Sequence, residues 1–310
     1  MKKFLARVVF CLLWPLSLLP MGVHHFFSAV MCFVLRRIVR YRYSVITTNI
    51  ARSFPQMKYG QIKKLTGEYY RYMCDLFCES VWDLAHSADA VRKRVGVSKV
   101  EVVDQLQKKY GRVILIMGHC GNWEMVSGMI ISPEDRTEDS FASHPVYMVY
   151  KAAESKFSDI LFRMLRMHEY KKFHSLGEVV ESRQVLRHAL KNKDSKATYV
   201  MIADQNPIGK HDPVVDFLNQ KTYMLPGPAY LSSRLGIPAV YLRFDRIARG
   251  RYHIEFEKIS EPSENRGENY VTEKFAQLLE ADIRKNPVNW LWSHKRWKRN
   301  IEPYDNNISK

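Results

Sequence analysis

From residue 111 onward the chain alternates short apolar runs with amphipathic stretches, and that alternation limits the folds open to it. The runs RVILIM (112–117), VYMVYK (146–151), ATYVMIAD (197–204) and AVYLRFD (239–245) are too short for buried helices and too apolar for loops. Continuous apolar runs of this kind are strands of a parallel sheet with both faces covered. Helical stretches are expected from Asn122, near 154–168, near 178–191, near 227–235 and at 269–285. In the last, Val271, Phe275, Leu278, Leu279 and Ile283 share a face before Pro287 stops the helix. RYHIEFEKI (251–259) sets Tyr252, Ile254 and Phe256 against His253, Glu255 and Glu257, as a half-exposed antiparallel edge strand would. The predicted class is α/β, a mostly parallel central sheet with helices on both faces.

Upstream the pattern differs. Residues 1–42 form an apolar segment with basic flanks, and 43–310 read as a single α/β domain. From Phe4 to Leu35 only Arg7 and the His24–His25 pair interrupt the apolar character; Lys2 and Lys3 precede it, and Arg36, Arg37, Arg40 and Arg42 follow. There is no small-residue cleavage site of signal-peptide type. Pro15, Pro20 and the histidines interrupt a possible span, so a segment lying in one leaflet fits as well as one that crosses. A pair of buried core helices is the alternative. Residues 43–54 read as a short helix ended by Pro55. In 61–84, Leu65, Tyr69, Met73, Phe77, Val81 and Leu84 recur at helical spacing.

The formal charge of +16 calls for a polyanionic partner: nucleic acid, an anionic membrane or an acidic protein. No helix-turn-helix, RNP-like or zinc-finger pattern is present, so no nucleic-acid partner is expected. The five cysteines form no CxxC pair and suit a reducing compartment, placing the body of the protein in the cytoplasm. No second His or Cys cluster stands at ligand spacing, so neither metal nor cofactor is expected.

The stretch GHCGNWEM (118–125) directly follows the first strand. One reading is a tight turn capping a helix, with Gly118 and Gly121 for the turn and Asn122 as the cap. The other is a catalytic pair. His119 and Glu124 converge across a strand–turn–helix junction; the carboxylate fixes the imidazole tautomer while the free nitrogen takes a proton. Ligands sit beyond the carboxyl ends of strands in such sheets, which favours the second reading.

ILIMGHCGNWE, VYK (149–151), ADQNP (203–207), VDFLNQKTYMLPGPAYLSSRLGIPAV and NPVNWLWSHKRWKRN stand in an order and spacing that resembles the lipid A biosynthesis acyltransferases, the late lauroyl/myristoyl type. NIARSFP (49–55) extends the likeness to nearly the whole chain. The resemblance implies a lysophospholipid/glycerolphosphate acyltransferase-like fold at the inner membrane, facing the cytoplasm. It implies transfer of a fatty acyl chain from acyl carrier protein, or CoA, to a hydroxyl of a lipid A precursor. By the same likeness His119 is the general base and Glu124 its orienting acid. Arg166 and Asp204 assist catalysis, and Gly121, Asn122, Lys151, Arg163 and Gln205 meet substrate. Backbone N–H groups of the glycine turn, with Arg166, are expected to hold the oxyanion. Two departures stand out: Cys120 where an aromatic is usual, and Lys151 in VYK where VYR is usual. These leave room for another acceptor, such as a lysophospholipid, a glycolipid, an amino-acid-headed lipid or an aryl polyene. A hydrolase using the same base on water is a further rival. Trp290, Trp292 and Trp297 interleave with Lys295, Arg296, Lys298 and Arg299, suiting either a headgroup interface or core anchoring of the tail.

Overall fold

The computed structural model describes residues 2–130, 137–151, 155, 157, 159–161, 164–165, 176–207, 212–264, 266–267 and 269–299. Seven strands form one sheet: β1 (Val95–Ser98), β2 (Arg112–Met117), β3 (Val146–Tyr150), β4 (Leu176–Glu181), β5 (Ala197–Ile202), β8 (Ala239–Ala248) and β9 (Arg251–Ser260). β6 (Val214–Phe217) and β7 (Gln220–Tyr223) make a separate hairpin. The spatial order is β1-β9-β8-β2-β5-β3-β4, and every pairing in it is parallel except β8 with β9.

The period-2 pleat divides β2 between two cores. Val113, Leu115 and Met117 face one cluster, with Val240, Leu242, Phe244 and Phe256; Ile114 and Ile116 face the other, with Tyr199, Phe275, Leu279 and Trp290. All five are fully buried, as expected for a central strand between two parallel neighbours.

Three expectations are corrected. β9 is not the edge, because β1 pairs with its outer side; VGVS is too short and too glycine-containing to register as a strand in the sequence. Residues 178–191 are not one helix: LGEVVE pairs with β3, and a helix begins only at Val185. The segment after Asn122 is a 3₁₀ helix, Trp123–Met129. The helix expected near 154–168 lies largely outside the described residues.

The N-terminal part comprises α1 (Lys2–Ser17), α2 (Met21–Phe33), α3 (Tyr43–Ser53) and α4 (Tyr59–Asp83), with a five-residue π turn, Val34–Ile38, extending α2. Among the described residues no single helix is long and apolar enough to cross a membrane; Met21–Ile38 and Tyr43–Ser53 would qualify only as a pair bent by 89°. α2 packs on α4 through polar contacts. His25 Nε2 lies 3.2 Å from Glu79, and Ser28 donates to Asp75. Phe4, Leu12, Phe26 and Phe33 stand outward, each more than three-fifths exposed. α4 also departs from its sequence reading, since Phe77 is exposed whereas Asp75 and Glu79 are buried.

Candidate active site

β2 and β5 run parallel in unbroken register from Arg112 opposite Ala197 to Met117 opposite Ile202. His119 and Asp204 each lie two residues beyond those paired ends, so the register itself delivers them side by side. The Asp204 carboxylate receives three hydrogen bonds. His119 Nδ1 is 2.5 Å from Oδ1, the His119 backbone N–H donates to Oδ2 at 3.0 Å, and Trp290 Nε1 donates to Oδ2 at 2.7 Å. Burial alone would raise this carboxyl; the His119 charge, with the His119 and Trp290 hydrogen bonds, outweighs burial and holds it well below the usual carboxylate range.

With Nδ1 carrying the proton toward Asp204, the histidine's Nε2 presents a lone pair. Gln205 Nε2 approaches it at 3.2 Å. Trp123 stands edge-on to the imidazole, ring centroids 5.0 Å apart, and its indole N–H donates to Glu124 Oε1 at 3.1 Å. Glu124 therefore reaches the histidine through an indole that touches both, and Asp204 reaches it directly.

The turn between them is tightly built. Gly121 has φ +59°, and a Cβ there would sit 2.9 Å from both the Phe244 ring and its carbonyl oxygen. Its N–H donates to Asn289 Oδ1 at 3.1 Å and its carbonyl accepts from Tyr72 Oη at 2.5 Å. Asn122 occupies the cap position without a side-chain cap bond; buried, it accepts from Ser80 Oγ of α4 at 3.2 Å. The amides of His119, Cys120 and Gly121 already donate to Asp204, Gly118 and Asn289. These three are thus committed to the turn and not free for an oxyanion.

Cys120 is buried, and burial followed by the charge of Asp204 pushes its thiol well above the ordinary range. That is the opposite of an activated nucleophile. Lys151 is exposed at the end of β3, the neighbour of β5. Arg163 and Arg166 lie outside the described residues.

The tail brings in residues whose part was not read from sequence. Trp290 and Trp292 are core residues, 4.8 Å apart edge to face, which corrects the headgroup-interface reading for both. Asn289 bridges the glycine turn to the Phe244 carbonyl. Arg296 is buried: Nη2 donates to the Tyr223 carbonyl at 2.6 Å, whereas Nε and Nη1 have no protein partner. Burial pushes Arg296 down to about 10 and His294 down to about 4, with Asp204 opposing both shifts. The available signal was the repeated offset, strand-x-His in VILIM-G-H and strand-x-Asp in YVMI-A-D, which marks strand ends that meet if the strands are neighbours.

Compared with known families, residues 1–299 match the family described as bacterial lipid A biosynthesis acyltransferase. No curated protein matches the chain. The match spans nearly the full length, and the chain belongs to that family, whose members are acyltransferases.

Proposed function

We propose that this acyltransferase of lipid A biosynthesis uses His119 as general base to move a fatty acyl chain from the thioester of acyl carrier protein to a hydroxyl of a lipid A precursor. The observation that carries the reading is the buried Asp204 on Nδ1 of His119, with Nε2 turned toward Gln205. A substrate hydroxyl displaces the Gln205 amide and gives its proton to Nε2. The alkoxide oxygen bonds to the thioester carbonyl carbon, and the tetrahedral oxyanion then collapses as the C–S bond breaks. The thiolate leaves with the proton held by the imidazolium, so an ester and a thiol are the products. Asp204 stabilises the positive ring throughout, while Glu124 holds Trp123 against it. Gln205, released from Nε2, is a donor within reach of the developing oxyanion.

In this reading the exposed apolar faces of α1 and α2 rest in the cytoplasmic leaflet of the inner membrane. Basic residues meet lipid phosphates and the acidic carrier protein. The test is transfer by purified protein from an acyl-carrier-protein or CoA thioester, read by lipid mass spectrometry. His119→Ala should remove nearly all product; substantial residual transfer would refute the base assignment. Free fatty acid in place of acylated lipid would mark a hydrolase.

A further inference from the structure

A cavity of about 840 Å³ opens between α2, α4 and the β8–β9 turn, and its walls carry Arg36, Arg37, Arg71, Arg246 and Arg249. Two of these are committed. Arg249 grips Asp75 through Nε at 3.0 Å and Nη2 at 2.6 Å, and Arg246 Nη2 reaches the same carboxylate at 2.6 Å. Among the described residues no carboxylate lies within 4.0 Å of the guanidinium of Arg36, Arg37 or Arg71. The cavity thus holds three guanidinium groups outside ion-pair range of any carboxylate, while of its two acids Asp75 is already neutralised and the half-exposed Glu68 faces Lys64 at 4.0 Å.

Its rim is apolar. Phe33 and Ala29 line it, and Phe26, Val30 and Phe33 form a single exposed stripe along α2, at spacings of four and three residues. The π turn directly after that stripe aims Arg36 inward, its guanidinium pressed against Gly67 of α4. Forked donors beside an outward apolar stripe match a ligand with a phosphate at one end and hydrocarbon at the other.

We propose that this cavity binds the phosphate of an anionic membrane lipid, whose chains lie along the Phe26–Val30–Phe33 stripe. The site is distinct from the catalytic pair yet adjoins its turn. Arg246 lies over the Tyr72 ring at 5.7 Å, and the Tyr72 hydroxyl donates to the Gly121 carbonyl. The proposal goes beyond acyl transfer and does not depend on it.

The test is binding of the full chain to phosphatidylcholine vesicles with and without phosphatidic acid. Arg36→Gln/Arg71→Gln should lower affinity for the phosphatidic-acid vesicles about tenfold or more, whereas the charge-matched Lys191→Gln/Lys193→Gln, at exposed residues outside the cavity lining, changes it by less than about twofold. His119→Ala should bind as wild type does, which separates this outcome from any failure of the acyl-transfer reading. Arg37→Gln alone, on the exposed rim, should shift affinity in the same direction and serves if the double variant does not fold. Equal losses in the arginine and lysine doubles would reduce the effect to diffuse surface charge and overturn the proposal. Displacement of the vesicles by millimolar inorganic phosphate would also overturn it, assigning the cavity to a free ion.

Discussion

Trp290 Nε1 stands 2.7 Å from Asp204 Oδ2, joining a tryptophan of the C-terminal tail to a carboxylate at the end of β5. The bond fixes the carboxylate plane, leaving Oδ1 aimed at His119 Nδ1. Trp290 is therefore a positioning residue whose effect passes through Asp204. A hydrogen bond to a charged group contributes about 1.5–3 kcal/mol, so Trp290→Phe should lower kcat roughly tenfold to a hundredfold. KM should hardly move, because the indole touches no substrate. An unchanged kcat, or a loss confined to KM, would remove this role. Asp204→Asn, which reverses the tautomer preference of the ring, should cost more, on the order of 10³-fold or beyond.

The glycine turn gives a second prediction. Gly121→Ala must hold φ +59° and place a Cβ 2.9 Å from Phe244. The left-handed backbone alone costs about 1–2 kcal/mol for an L-residue, and the steric contact adds to it. Destabilisation of about 2 kcal/mol or more is expected in urea unfolding, with activity falling further because His119 moves with the turn. Gly111→Ala is the comparison, since its φ is +74° with nothing within 4 Å. It should show backbone strain and keep full turnover; equal activity losses in the two variants would contradict the packing account.

The nucleophile question is settled by a simple pair of measurements. Burial keeps the Cys120 thiol protonated at neutral pH, and its backbone is bridged to Trp290. Cys120→Ser should retain turnover within about threefold, the loss reflecting a hydroxyl placed in an apolar site. Iodoacetamide should leave the native enzyme active. Loss of transfer in Cys120→Ser, with no change in stability, would instead point to the Cys120 thiol carrying the acyl chain as a covalent thioester.

Legibility in the sequence tracked how local each signal was. β2 and β5 announced themselves because both of their faces are buried, and β3 and the first half of β8 carry apolar runs of the same kind. β1 and β4 did not, since VGVS is only four residues and LGEVVE carries two glutamates; each earns its place by pairing with a distant strand. His119 was legible from its glycine turn and strand-end position. Its direct contact with Asp204 depends on β2 and β5 being neighbours, and strand order is not written in any local pattern. Trp290 lies 86 residues from Asp204 in the chain, so its aromatic and basic surroundings suggested an interface where packing made a core. Asp75 and Glu79 were hidden for a similar reason. On a helix they read as solvent-facing, and it takes Arg246, Arg249 and Tyr252 from the β8–β9 hairpin, with His25 and Ser28 from α2, to make their burial tolerable.

His294 offers a prediction in pH. Burial lowers it from 6.5 to about 4, so the folded protein holds it neutral. Between those values the unfolded chain binds a proton that the folded chain refuses, and stability therefore rises with pH across the window. Falling pH removes stability from near 6.5 downward, and the loss levels off below about 4, where both states are protonated. The slope cannot exceed about 1.4 kcal/mol per pH unit for one group. His294→Gln, which cannot take the proton, should flatten the wild-type decline in urea midpoint between pH 7 and pH 5, leaving other groups to set what remains. The depressed Asp204 carboxyl contributes slope of the same sign but at lower pH, where the unfolded carboxyl with its ordinary value of 3.8 takes up its proton, so it adds little between pH 7 and pH 5. A variant with the same slope as wild type would show that His294 is charged, or solvated, in the folded enzyme.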